Sequence, residues 1–349
     1  MGVYRIAVIK GDGIGPEVVD AAMRVLEAVQ DTSKGLELKP LDVEAGLECI
    51  PKYGTNLPEH SIKLLKESDA CLKGPVTTPE EPGSPRSVAV TIRVMFDLYA
   101  NVRPCRSLPN VPSLKPNIDL VIVRENTEDL YSGIEFELAS GVAVAMRVIT
   151  WKACERIARF AFKLAMNRRK KLAYVHKGNI LKITDGIFKN AVLKVAQEFP
   201  DVELWELRID AAAMQLVKRP EDFDVVVTTN MFGDILSDEA AQLVGGLGFV
   251  AGANIGDNYG MFEPVHGSAP KYKGLNKVNP IATIMASKMM LEWLGSKHSD
   301  PVCTEAAKKI EAGVFEVLKE GKVKTYDFGG SASTSEMAEA VAKKIIELG

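Results

Sequence analysis

Two aspartates one helical turn apart carry the first chemical signal, in Asn230-Met-Phe-Gly-Asp234-Ile-Leu-Ser-Asp238-Glu. On a helix, positions i and i+4 share a face and can share one cation. Aspartate is a poor helix-interior residue, so two on one face need a reason. Hard ions such as Mg²⁺ or Mn²⁺ take oxygen ligands in octahedral geometry. A third carboxylate stands at Asp210, in Arg208-Ile-Asp210-Ala-Ala-Ala. A bare DxxxD pair is more often one helix-start acid plus one solvated acid, and that reading stands beside the metal one.

Arg93, Arg103 and Arg124 lie near expected strand or helix ends. A guanidinium fork matches a carboxylate. Singly, each arginine reads as structural; as a set beside a metal they point to a di- or tricarboxylic acid. Tyr131 and Lys177 are titratable groups suited to proton transfer. Lys177 ends a buried strand, where burial or neighbouring cations would lower its pKa. The Gly-rich run Lys-Gly-Asp-Gly-Ile-Gly-Pro-Glu, from Lys10, has the wrong spacing for a dinucleotide fingerprint, which is G-x-G-x-x-G with a later acid. It reads as a tight turn entering a helix, and no Rossmann site is inferred from it.

Short β-rich runs alternate with longer amphipathic ones, which predicts an α/β protein. Strands are expected at Tyr4–Ile9, Ala70–Lys73, Leu120–Arg124, Leu172–His176 and Asp224–Thr228, and helices from Pro16 to about Gln30, over Ile281–Leu294 and over Ser333–Leu348. Gly133–Ile149 alternates around Ser140-Gly141 and predicts a projecting hairpin.

The 349 residues, 46% of them apolar and 26% charged, call for one large or two medium domains. The net charge of −3 gives no footprint for nucleic acid. The basic run Arg168-Arg169-Lys170-Lys171 follows an apolar-periodic stretch and reads as cations at a helix C-terminus. Five scattered cysteines without a CxxC predict neither disulfides nor zinc. No run has transmembrane length or signal-peptide form, so a cytoplasmic protein is expected.

In order along the chain, KGDGIGPEV, DLYANVRP, VRENTEDLYSGIE, VHKGN, NMFGDILSDEA, GANIGD and EPVHGSAPKYKG closely resemble the isocitrate, homoisocitrate and 3-isopropylmalate dehydrogenases, from about Tyr4 to Gly330. The resemblance implies a non-Rossmann α/β fold of two α/β domains with an intersubunit β arm. Residues 1–97 and 245–349 would form a large cofactor-binding domain, and 98–244 a small dimerisation and metal-binding domain. It implies a homodimer at minimum, with the hairpin as its clasp. Arg93, Arg103 and Arg124 match the substrate clamp, Tyr131 the acid that protonates carbon after decarboxylation, and Lys177 the base side, supplied by the neighbouring subunit. Asp210 would reach across to a metal held by Asp234 and Asp238. Asn179 matches a residue near substrate and nicotinamide.

The same resemblance places Thr77, His266, Gly267, Lys271, Tyr272, Val278, Asn279 and Tyr326 at the cofactor. NAD-specific members carry an Asp-Ile pair where this chain has Lys271-Tyr272; a lysine attracts a 2′-phosphate, so NADP is expected, with NAD possible. Gly330 stands where the NADP group carries an arginine. For the substrate, Arg86-Ser87-Val88-Ala89-Val90-Thr91-Ile92-Arg93 resembles the isocitrate pattern at Ser87 and departs from it at Ala89. The expected reaction is NADP- and Mg²⁺- or Mn²⁺-dependent oxidative decarboxylation of isocitrate to 2-oxoglutarate. The alternatives are 3-isopropylmalate or homoisocitrate. A non-catalytic regulatory subunit is disfavoured because the matched ligands are all present.

Overall fold

The computed structural model describes residues 2–81 and 83–348. Its strands, in chain order, are β1 (Gly2–Ile9), β2 (Leu36–Asp42), β3 (Ala70–Lys73), β4 (Ala100–Arg106), β5 (Asp119–Glu125), β6 (Glu135–Ala139), β7 (Val142–Ala145), β8 (Lys171–His176), β9 (Glu203–Arg208), β10 (Val225–Thr228), β11 (Ala251–Ile255) and β12 (Gly260–Pro264). Ten of them form one sheet in the order β2-β1-β3-β12-β11-β4-β5-β10-β8-β9. Pairing is antiparallel at β12/β11, β11/β4 and β4/β5, and parallel elsewhere. Helices cover both faces, which explains why β10 reads as an unbroken apolar run, buried throughout.

The strands from residues 1–97 and 245–349 occupy one half of this sheet, and those from 98–244 the other. On one face, a continuous core joins helices Gly15–Asp31, Trp151–Met166, Ile281–His298 and Pro301–Glu320. On the other, two separate apolar clusters lie under Val88–Met95 and under Asn230–Leu243. The gap between those two clusters lies beside the antiparallel centre of the sheet, and there the chemistry gathers.

The Gly-rich run is a tight turn, as its spacing predicts. Gly11 and Gly13 have φ of 72° and 59°, and a Cβ on either would strike the carbonyl of Pro75 or Ser268. The basic run follows helix Trp151–Met166; Arg168 Nε donates to the fully buried Asp224 at 2.7 Å and the Arg169 amide at 2.9 Å, so part of it neutralises a core acid. β6 and β7 form the predicted hairpin around Ser140-Gly141, with Phe136, Leu138 and Val142 exposed. Such a ribbon is marginal alone. No described helix is long and apolar enough to cross a membrane.

Candidate functional site

A cavity of about 430 Å³ opens at the sheet centre. Arg124, at the end of β5, Arg103, in the middle of β4 rather than at a strand end, and Arg93, in the last turn of helix Val88–Met95, all line it. Helix Asn230–Leu243 brings Asp234 to the same cavity. The helix starts from Thr229 at its N-cap, and Gly233 serves close packing. A Cβ there would lie 2.6 Å from the Arg124 side chain, so glycine lets the helix ride against that arginine.

Asp234 accepts hydrogen bonds from Arg124, from Tyr131 and, at 3.4 Å, from Arg103. Burial pushes its pKa up, but the Arg124 and Arg103 charges win and hold it below the ordinary value. Asp238, one turn on and half exposed, accepts from Arg103 at 3.0 Å; burial raises its pKa despite that arginine. Burial, then the neighbouring Arg93 charge, draws Arg124 down to about 10, which leaves it charged at neutral pH. Burial first, and the Asp234 contact after it, raise the Tyr131 pKa, so the phenol keeps its proton.

Arg93 Nε, Arg103 Nε and Arg124 Nη2 are buried without a hydrogen-bond partner. Such donors cost about 1–3 kcal/mol each when unmet. An anionic ligand in the cavity would meet them. Ser87 and Ala89 also line the cavity, with Val76 and Val90. Ser87 caps helix Val88–Met95, yet its hydroxyl makes no capping bond and stays available.

Lys177, Asn179 and Asp210 do not line this cavity. Lys177 Nζ pairs with Asp210 at 2.9 Å, so within one chain the lysine faces a carboxylate rather than a group of cations. Asn179 is exposed in the loop after β8. Among the described residues no group of three or more His, Cys, Asp or Glu could hold a metal, so Asp210 does not join Asp234 and Asp238 within a single chain. Two carboxylates still fit Mg²⁺, which usually takes one or two from protein and fills its sphere with water and substrate oxygens.

The residues matched to the cofactor divide. His266 and Gly267 line the cavity, and burial lowers the His266 pKa, which favours the neutral ring. Thr77 lies beside it, its amide donating to Asp12 at 2.8 Å and its hydroxyl 2.5 Å from that of Ser268. Farther out, Tyr272 and Tyr326 stand with ring centroids 5.6 Å apart. Lys271 lies over Tyr272 and Lys277 over Tyr326, at 4.9 and 4.8 Å. Val278 packs on Ile14 beneath them, and Asn279 donates to Asp327 at 3.0 Å. This aromatic and cationic surface suits a phosphate.

Glu263 and Lys73 are site residues to which the sequence alone assigned no role. Glu263 holds Lys73 at 2.7 Å and Arg93 at 3.1 Å, and accepts from Asn254 at 2.8 Å, all at the cavity wall. A charged residue inside an apolar strand run was the available signal, at Lys73 in Ala70–Lys73 and at Glu263 in β12.

Arg103 and Arg124 are paired with Asp234 and Asp238 in this chain. A substrate acid and a cation would have to replace those pairs together, the acid taking the arginines and the cation the aspartates. Mutual enhancement is therefore expected: Mg²⁺ should tighten substrate binding, and substrate should tighten Mg²⁺ by the same factor. Calorimetric titration in either order checks this; independent affinities would refute it.

The family model described as isocitrate/isopropylmalate dehydrogenase matches residues 5–341. The 3-isopropylmalate/3-methylmalate dehydrogenase of Methanocaldococcus jannaschii is 48% identical, with 99% of each chain covered. The isocitrate/homoisocitrate dehydrogenase of Thermus thermophilus is also 48% identical, again over 99% of each. The crystal structure of isocitrate dehydrogenase from Methylococcus capsulatus superposes with a TM-score of 0.90 at 44% identity, covering 98% of this chain and 99% of that one.

Proposed function

Because the chain belongs to the isocitrate/isopropylmalate dehydrogenase family, whose members oxidise and decarboxylate hydroxy acids, we propose that it converts isocitrate to 2-oxoglutarate with NADP and Mg²⁺ or Mn²⁺. The observation that carries this reading is the cavity wall: three arginines with unpaired buried donors, a free Ser87 hydroxyl and Lys73 surround one space. Arg93, Arg103 and Arg124 bind the carboxylates of the malate core, and Ser87 meets the third carboxylate. Asp234 and Asp238 would hold the cation with Asp210 of a second copy, which makes the active unit a homodimer. When bound, the cation would supply Lewis acidity and the nicotinamide a hydride acceptor. Lys177 of the second copy takes the hydroxyl proton on the base side, with Asn179 near it. After CO₂ leaves, Tyr131 donates its phenolic proton to the carbon. Residues 1–97 with 245–349, and residues 98–244, are the two domains between which the site closes.

The second reading is a 3-alkylmalate such as 3-isopropylmalate, or homoisocitrate. Ala89, Val90 and Val76 favour the alkyl group, since they put apolar surface beside Ser87, and the Methanocaldococcus jannaschii relative carries such a name. A hydroxyl placed for a carboxylate discriminates more strongly than an apolar pocket discriminates a methylene. Mg²⁺-dependent NADPH formation with isocitrate, homoisocitrate and 3-isopropylmalate in parallel tests both. Highest kcat/KM with isocitrate supports the first, and turnover of none would restore the regulatory-subunit reading.

For the cofactor, Lys271 and Tyr272 read the 2′-phosphate together with Tyr326. Gly330 has no room for the arginine of the NADP group, because a Cβ there would run into the Lys324 carbonyl. Lys271→Asp with Tyr272→Ile is expected to remove a charge-assisted contact of about 1.5–3 kcal/mol, roughly 10- to 100-fold in kcat/KM for NADP. Steady-state rates with NADP and NAD check it, and an unchanged preference would sink the assignment.

A further inference from the structure

A second buried ionic cluster lies beside the cavity and outside the roles above. Arg147, just after β7, uses all five of its N–H donors. Nε donates to Asp129 at 2.7 Å and Nη2 to the same carboxylate at 3.4 Å. Nη2 also reaches Thr229 at 2.7 Å, and Nη1 reaches Thr184 at 3.4 Å and Asp185. Both aspartate side chains are fully buried and the arginine is 13% exposed. Its guanidinium lies 4.9 Å over the ring of Phe232.

Each acid of this cluster grips a segment that carries a reacting group. Asp129 accepts the Leu130 amide at 2.9 Å, beside Tyr131, and the Met231 amide at 3.1 Å, in the first turn of the Asp234 helix. Asp185 accepts the Lys177 amide. Asp129 itself sits at φ 72°, ψ −146°, a conformation that residues other than glycine rarely adopt. Such strain persists only where the surroundings over-determine it, and the Arg147 fork is what surrounds it.

We propose that Arg147 is a positioning residue that sets the Tyr131 loop, the Asp234 helix and the Lys177 loop in register with one another. This rests on the proposed shared-site dimer, in which Tyr131 and Asp234 serve one site and Lys177 serves the other. One guanidinium then ties together the two active sites of the dimer, and its loss damages both.

Two measurements decide this. In homodimers, Arg147→Met is expected to lower kcat about 100-fold, the order of loss that follows a misplacement of about 1 Å, with KM for the hydroxy acid little changed. Arg147→Lys should recover part of it, because an ammonium can hold one acid but not the whole fork. Unchanged kcat, or a loss confined to KM, overturns the proposal. In hybrid dimers isolated through two different tags, one Tyr131→Phe chain with one Lys177→Ala chain should retain about half of wild-type activity, since a two-fold dimer of shared sites puts both lesions in one site. Near-total loss there overturns the shared-site reading, while the homodimer kcat still judges Arg147. One Arg147→Met chain with one wild-type chain, assayed as an intact dimer well below its own melting temperature, should fall well below half. Retention of about half would show that Arg147 acts within a single site and overturn the link between them.

Discussion

Tyr131→Phe is expected to lower overall turnover by about 10²- to 10⁴-fold, the range for loss of a general acid, while sparing reduction of the added β-keto acid intermediate by NADPH. The substitution removes a proton and little else. The Tyr131 ring lies 4.9 Å under the Arg124 guanidinium, and phenylalanine keeps that stacking. Asp234 keeps Arg124 and Arg103 as partners when the phenolic contact goes. Burial raises the tyrosine pKa above its ordinary value of 10.0, so across the neutral range the phenol is protonated and ready to donate. No basic limb below that value should therefore come from Tyr131 in the wild-type profile. The two half-reactions are followed separately, by NADPH formed from the hydroxy acid and by NADPH consumed with the keto acid. Equal losses in both would remove Tyr131 from the protonation step.

What the sequence made legible was mostly local. β3 was readable to the residue, and the Ser140-Gly141 hairpin and the Gly11–Gly15 turn followed from spacing and residue type. Other strands left no such mark. β2 contains Pro40 and is an edge strand, where a missing N–H is tolerated but the β pattern is blurred. β11, Ala-Gly-Ala-Asn-Ile, is built of small residues and shows neither alternation nor bulk. The ordered motifs gave the family, the fold and the dehydrogenase chemistry without any distances. They could not show that Arg103 would bind Asp238, or that Glu263 would gather Lys73 and Arg93 from segments 190 and 170 positions away in sequence. Nor does one chain bring Lys177 and Asp210 to the cavity. In the proposed dimer that part of the site comes from a second copy, which neither local patterning nor a single fold can display.

Glu263→Gln is expected to destabilise the protein by about 3–5 kcal/mol, the usual cost of leaving a buried charge without its counter-ion. The carboxylate is the shared partner of two buried cations, with the Lys73 and Arg93 side chains only 3% and 8% exposed. An amide keeps the shape and the Asn254 contact but cannot balance either charge. The apparent melting temperature should fall by on the order of 10 °C. The pH dependence separates this cause from loss of packing. Burial alone would raise the Glu263 pKa, but Lys73 and Arg93 overcome it and hold it far below the ordinary value of 4.5. A depressed pKa contributes stability that is fully present above the unfolded value and is lost as pH falls toward the folded one. The gap between wild type and variant should thus be constant near neutrality and shrink as pH drops below about 4.5. A gap that stays constant through pH 3 would show that the charge is not what stabilises this wall of the cavity. Because the same carboxylate orients Arg93, KM for the hydroxy acid should rise in the variant even at pH values and temperatures where it remains folded.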